Sequence, residues 1–471
     1  MARPIGAASH SRLGAASVSF DLGIERGTLV TSQGSRQANV YFSGERIAAV
    51  TAERERAAML VDAAGLLVMP GMIDSHVHLM DPGAPEREDF PAGTAAAARS
   101  GVTTVVEHTH GWPVRTRRDY EEKAAHLANR SRVDFALAAH AWPDQVDQAL
   151  DAWSAGAAFL KVFTCTTHGV PAHGPDQLRR LFAAGASGRA VFLVHCEDEI
   201  MTAVAERRLR ASGRVDGGII AEWRNLEAEV TAVNMVGQLA RQAGATVVIA
   251  HASSPAAIAA AGRVNDGPVA IETCPQYLTL MQEEANRLGA LRKFTPPARA
   301  ATAYELEAMW DAVRDGSVDL ISSDHAPSTR ADKLGKSIWV AHFGLPGLDT
   351  TMAILLDAAA HGRISYERLV QLYSETPARL YGLAPRKGSL TTGADADVVL
   401  VDPSRCWTVT DAEVLSRAGW SPYSGRELTG RAVRTYLRGQ LVMADGEVLA
   451  PPGTGVLLHG SGWDPRSATT A

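Results

Sequence analysis

Residues 190–198 read AVFLVHCED, a short apolar run that stops at a histidine and two carboxylates. The same pattern recurs along the middle of the chain. It is found in TTVVEHTH (103–110), VDFALAAHA (133–141), AAFLKVFT (157–164), ATVVIAHAS (245–253), PVAIETCPQ (268–276) and VDLISSDHA (318–326). Between these runs lie helix candidates with an apolar face, such as DQVDQALDAWSAG (144–156), PDQLRRLFAAGA (175–186) and EAEVTAVNMVGQLARQAG (227–244). Fully apolar strands alternating with helices are the signature of a buried parallel sheet, and seven or eight such units suit a (β/α)₈ barrel. Nearly every run ends in His, Lys, Glu or Asp, at the carboxyl rim where barrel enzymes keep their sites.

The two ends of the chain have a different texture. SFDLGIERGTLV (19–30), NVYFSGERIAAV (39–50) and MLVDAAGLLVMPG (59–71) are short β-rich runs bounded by turns. Like runs return in ADADVVLVD (394–402), VRTYLRGQLVMADGEVL (433–449) and GTGVLL (453–458). They are expected to be halves of one small sheet domain that the barrel interrupts. The chain has 471 residues, which suits either three domain-sized units or one large barrel with a satellite domain. Its net charge of −6 excludes a generally basic surface, so neither nucleic acid nor a membrane is expected as partner. No apolar run reaches the roughly 18 residues of a spanning helix. The opening MARPIGAASHSRLGAAS lacks a continuous apolar core and reads as a frayed tail. Cys165, Cys196, Cys274 and Cys406 form no CxxC pair, which suits a reducing cytoplasm.

The chemistry begins with Gly71-Met72-Ile73-Asp74-Ser75-His76-Val77-His78. Residues i and i+2 of a strand share a face, so His76 and His78 can present two imidazoles to one ion. Such a pair alone fits two hydrogen-bonded structural histidines equally well. Lys161 sits inside an apolar strand of a chain with only six lysines, at 123, 161, 293, 333, 336 and 387. It is either a snorkelling side chain or one whose pKa burial lowers, ready for chemistry or modification. His195, His251 and Asp324 each end a further strand. Taken together, these six residues converge on one rim and point to a metal site. Histidine and carboxylate without thiolate favour zinc first, ahead of manganese, cobalt or iron.

At this point the chain resembles the amidohydrolase superfamily, in the branch that holds allantoinases, hydantoinases, dihydropyrimidinases and dihydroorotases. The matching stretches are PGMIDSHVHLMDPG, FLKVF, VHCEDE, IAHASS, IETCPQYLTL, FTPPAR, SSDHAPS, FGLPGLDTT, TPARLYGL, KGSLTTGADADVVLVD and SPYSGRELTGRAVRTYLRG, in that order. The resemblance implies an α/β chain: a (β/α)₈ barrel over 69–387 and a small β-sandwich built from 18–68 and 388–460. It implies two divalent metal ions, with His76, His78 and Asp324 on the more buried one and His195 and His251 on the more exposed one. Lys161, as N6-carboxylysine, would bridge them. A hydroxide between the metals would attack a ring carbonyl, with Asp324 as general acid and base. The implied function is hydrolysis of a cyclic amide or ureide, allantoinase- or hydantoinase-like, by a cytoplasmic homo-oligomer, a dimer or a tetramer. The alternatives are a dihydroorotase-like enzyme and a non-catalytic scaffold of the same fold.

Substrate contacts are expected from Met80, His108, Thr273, Cys274 and Gly344. Hydantoinases of this branch carry a tyrosine soon after the bridging lysine. Here Phe163, Thr164, Cys165, Thr166 and Thr167 follow, leaving the oxyanion donor unassigned. Dihydroorotate-specific relatives place an arginine two positions after the HxH pair, and Met80 stands there instead. A thioether cannot pair with a carboxylate, so the expected substrate is neutral, the alternative being an arginine elsewhere, such as Arg87 or Arg115, that reaches in.

Overall fold

The computed structural model describes residues 19–262 and 267–463; the tail read above as frayed, residues 1–17, lies outside them. Eight parallel strands follow the expected runs: β1 (Met72–Val77), β2 (Val102–Glu107), β3 (Asp134–Leu137, continued by Ala139–His140) and β4 (Leu160–Phe163). They continue as β5 (Val191–His195), β6 (Thr246–Ile249), β7 (Val269–Thr273) and β8 (Leu320–Ile321). Neighbours pair in sequence order around the barrel. Closure comes just above β1 and β8, where Val77 bridges His325 and the His78 amide donates to the His325 carbonyl at 2.7 Å. The strands are buried along nearly their whole length, which is why they read as unbroken apolar runs.

Helices cover the outside, among them Val146–Ser154, Pro175–Ser187 and Leu226–Ala243. Their starts are written locally. Asn225 caps Leu226–Ala243 by accepting from the Ala228 amide, and Gly244 closes its far end at φ +65°. Among the described residues, no helix is long and apolar enough to cross a membrane.

The two chain ends do merge. Strands Phe20–Thr31, Gly34–Ser43, Arg46–Thr51, Ala57–Asp62 and Leu67–Pro70 share a nine-stranded sheet with Val398–Thr408, Glu427–Leu437, Gln440–Ala444 and Glu447–Val448. The halves join where Leu67–Pro70 pairs antiparallel with Val398–Val401. The sheet has its own apolar core, including Ile24, Val40, Phe42, Val68, Val398 and Tyr436. A buried ion cluster ties it to the barrel. The Lys387 ammonium donates to Asp134 of β3 at 2.5 Å and to Asp397 at 2.7 Å, and lies 3.0 Å from Asp395.

One expectation needs correction. GTGVLL does not extend the small sheet: Leu457–Leu458 pairs parallel with Phe135 and Ala136 of β3. The reason is a seam in the barrel. β4 pairs with β3 only from Ala139 onward, so the edge of the preceding residues is open to another strand. The end of the described chain fills it.

Candidate metal centre

The strand ends bring all six expected residues to one buried cluster. His76 lies in β1 with His78 just beyond it, and Lys161 in β4 stands beside His140 and Leu193 of the flanking strands. His195 closes β5, while His251 and Asp324 follow β6 and β8. The latter two have positive φ, +40° and +48°, as do Met80 (+58°) and His168 (+53°). Such backbone costs roughly 1–3 kcal/mol per residue and collects where function demands it.

The Asp324 carboxylate lies 3.2 Å from His76 Nε2 and 3.5 Å from His78 Nε2. Lys161 Nζ is 3.5 Å from His76 Nε2. Hydrogen bonds outside the cluster choose which nitrogen of each ring faces inward. His76 Nδ1 donates to Glu272 Oε1 at 2.8 Å, and His78 Nδ1 donates to the His108 carbonyl at 3.2 Å, so each turns Nε2 inward. His195 is reversed: its Nε2 donates to Glu197 Oε2 at 2.7 Å, which turns Nδ1 toward His251 Nε2. Glu272 Oε1 also accepts the His251 amide at 3.0 Å.

Six buried rings are kept neutral. Burial, reinforced by like neighbours, holds His76, His108, His110, His140, His168 and His251 well below the ordinary imidazole range. Burial also pushes the Lys161 ammonium down and the Glu272 carboxyl up. Burial would raise Glu197 too, but the Arg224 guanidinium at 3.2 Å and His195 hold it down at about 2. Both nitrogens of His108, Nδ1 of His251 and Oε2 of Glu272 are buried with no partner among the described residues. Neutral imidazoles, a carboxylate and an amine that burial renders nucleophilic make a donor set that could hold divalent cations. The unpartnered buried atoms fit that use, since such atoms are otherwise costly.

Above the cluster opens a cavity of about 340 Å³. Met80 and Gly344 line it, together with His110, His168, Phe163, Phe343 and Arg87. At Gly344, with φ +108°, a β-carbon would collide with the Ala326 carbonyl. His108, Thr273 and Cys274 are not among the lining residues. His108 continues the inward face of β2 one layer too deep, packing its ring 4.5 Å from His76 and 4.3 Å from His78; His110, two residues on, reaches the cavity. Thr273 donates its hydroxyl to the Ala252 carbonyl at 2.8 Å, and Cys274 is fully buried below the mouth. Glu107 turns away, bonded to Lys123 at 2.9 Å.

Sequence reasoning missed the two orienting glutamates. Glu197 could have been found two positions after His195, just past the end of β5; Glu272 carried no signal beyond its place in IETC. It also missed two buried lysines that hold the cavity wall. Lys333 donates to the carbonyls of Lys293 (3.0 Å), His342 (2.7 Å) and Gly344 (2.7 Å), and Lys293 to those of Ile338 (2.7 Å) and Ala341 (2.6 Å).

Known proteins resemble the chain in sequence and fold. The sequence profile described as the amidohydrolase family matches residues 67–442. The chain is 36% identical to the allantoinase of Rubrobacter xylanophilus, over 92% of this chain and 96% of that protein. It is 31% identical to the L-hydantoinase of Paenarthrobacter aurescens, over 93% and 97%. The dihydroorotase of Halobacterium salinarum is 34% identical, over 88% and 95%. The solved structure of L-hydantoinase from Arthrobacter aurescens superposes with a TM-score of 0.88 at 30% identity, covering 93% of this chain and all of that one.

Proposed function

The chain belongs to the amidohydrolase family, and from that premise we propose that it hydrolyses a carbon–nitrogen bond in the ring of a cyclic amide or ureide, allantoin-like or hydantoin-like. In this reading His76, His78 and Asp324 hold the more buried of two divalent cations, zinc first among the candidates. His195 and His251 hold the other, and Lys161, carboxylated on Nζ, serves both. When bound, the cations would lower the pKa of a water between them and polarise the ring carbonyl.

The rest of the work falls to the chain. Burial keeps Lys161 poised to lose its proton, and carboxylation needs the neutral amine. Asp324 takes the proton from the attacking water and delivers it to the ring nitrogen as the bond to carbon breaks. Glu272, the His108 carbonyl and Glu197 fix the rings so that no reorganisation is needed during turnover. No tyrosine lines the cavity among the described residues, and the imidazoles of His110 and His168 are the polar rings placed to face the developing oxyanion. Phe163 and Phe343 supply apolar walls for the substrate ring.

One observation carries the reading: the choice of inward nitrogen at His76, His78 and His195, each made by a partner outside the cluster. The experiment is elemental analysis of protein purified without chelator, followed by a ring-opening screen over hydantoins, dihydropyrimidines, allantoin, dihydroorotate and cyclic imides. About two metal ions per chain and turnover of at least one ring class are expected. A metal-replete protein that opens none of them overturns the proposal.

A further inference from the structure

Arg87 lines the cavity and carries a fixed positive charge at any working pH. Its Nε donates to the Pro327 carbonyl at 3.2 Å and to the Ser328 hydroxyl at 3.0 Å, both on the loop that follows Asp324. Nη1 and Nη2 make no hydrogen bond with any described residue. No carboxylate among the described residues comes within ion-pair distance. Asp332 and Glu86 act on it from beyond ion-pair distance, and Asp332 is engaged with Thr329 and Lys336. Other arginines around the centre are paired: Arg224 with Glu197 at 3.2 Å, Arg299 with Glu229 at 3.0 Å and Arg292 with Glu284 at 2.9 Å.

The cavity around Arg87 gives it little counter-charge. Asp324 is the one carboxylate among the described lining residues, and the imidazoles of His110 and His168 are neutral. Burial disfavours the charged guanidinium here, and an arriving anion would offset that cost. A guanidinium anchored at Nε with its Nη edge free is set for two parallel hydrogen bonds to a carboxylate. The expectation of a neutral substrate rested on Met80, which does line the cavity without offering charge. The cation enters from seven positions further along the same loop.

We propose that the ring opened by this enzyme carries a carboxylate on a substituent and that Arg87 clamps it, making Arg87 the residue that determines substrate class. This rests on the ring-opening reading and sharpens it.

The test compares a hydantoin bearing a carboxyethyl arm at C5 with its carboxamide isostere, by kcat/KM, in metal-replete wild type, Arg87→Met and Arg87→Lys. Wild type is expected to favour the acid by about 30-fold or more, the scale of a desolvated charge pair. The ratio should collapse in Arg87→Met and recover partly in Arg87→Lys, with metal content per chain verifying the fold. A wild-type ratio near one, or an undiminished ratio in Arg87→Met, overturns the clamp and leaves ring opening standing. If wild type opens neither compound, the ring-opening reading is at fault. Calorimetric binding of N-carbamoyl glutamate, the ring-opened diacid, then decides the clamp: weakening by about tenfold or more in Arg87→Met supports it, and equal affinity overturns it.

Discussion

Nδ1 of His195 faces Nε2 of His251 at 2.9 Å, so the two imidazoles meet through unlike nitrogens. The asymmetry has a cause two residues along the chain. Glu197 accepts from the other nitrogen of His195 while Arg224 and the Thr295 hydroxyl hold the glutamate in place, at 3.2 and 2.8 Å. A carboxylate that never enters the cavity thus decides the face that His195 presents.

Replacing that carboxylate tests its importance. Glu197→Gln should weaken metal binding at the His195–His251 pair by about 10–100-fold, the usual effect of losing a partner that orients a ligand. Competition with a chromogenic chelator reads it directly. An unchanged affinity would mean that packing alone orients His195.

Lys161→Ala should lose activity and metal together, with partial recovery on adding a short-chain carboxylic acid and metal, because a free carboxylate can occupy the place of the carbamate. Asp324→Asn should lower kcat by about 10²–10⁴-fold, the cost of a misplaced acid–base. Metal content and kcat, measured on the same preparations, separate the two roles.

Lys387 makes a prediction about pH. Burial opposes its charge, but Asp397, Asp134 and Asp395 raise its pKa above the ordinary lysine value. Its stabilising effect is therefore present below about pH 10 and lost only as pH climbs through the raised folded value. Burial tends to raise Asp395, but Lys387 and Arg386 bring it below the ordinary carboxylate value. That contribution is present above about pH 4 and disappears as pH falls through the lowered value. Lys387→Met should cost about 3–5 kcal/mol at neutral pH, since it strands buried carboxylates. The carboxylates left behind would then have raised values, so mild acid should relieve the variant's deficit. Melting temperatures of both proteins between pH 5 and pH 8 give the check.

Lys333→Met removes the donor of the His342 and Gly344 carbonyls, while the Lys293 carbonyl keeps the Gly344 amide at 3.0 Å. A loss of about 1–3 kcal/mol in stability is expected, as for buried groups left unsatisfied. The same loop sets His342, Phe343 and Gly344 against the cavity, so KM should rise more than kcat falls. Steady-state kinetics with one good substrate measures the split.

Much of this centre could be read from the chain because it depends on strand ends. An apolar run that stops at His195 or Asp324 marks both a buried strand and the rim residue it delivers, and the six metal-site candidates lie together as the runs imply. What could not be read depends on side-chain direction across unlinked segments. Nothing in the spacing of Glu272 ties it to His76, 196 residues away, although they touch at 2.8 Å. The depth of a residue below the rim was equally hidden: His108 and His110 both follow β2, two residues apart, yet one is sealed in and the other lines the cavity. Arg87 was visible as a residue, but its free edge follows from two hydrogen bonds to a loop about 240 residues on.

The pairing of Leu457–Leu458 with Phe135 and Ala136 bears on how the protein is made. A ribosome emits the β3 segment more than 300 residues before the strand that covers its open edge. Through most of synthesis the nascent barrel therefore carries an unpaired parallel edge, the kind of surface that recruits chaperones or mispairs with a neighbouring chain. Protein released early, before Leu458, should be retained by chaperones or found in aggregates, while the full-length product escapes.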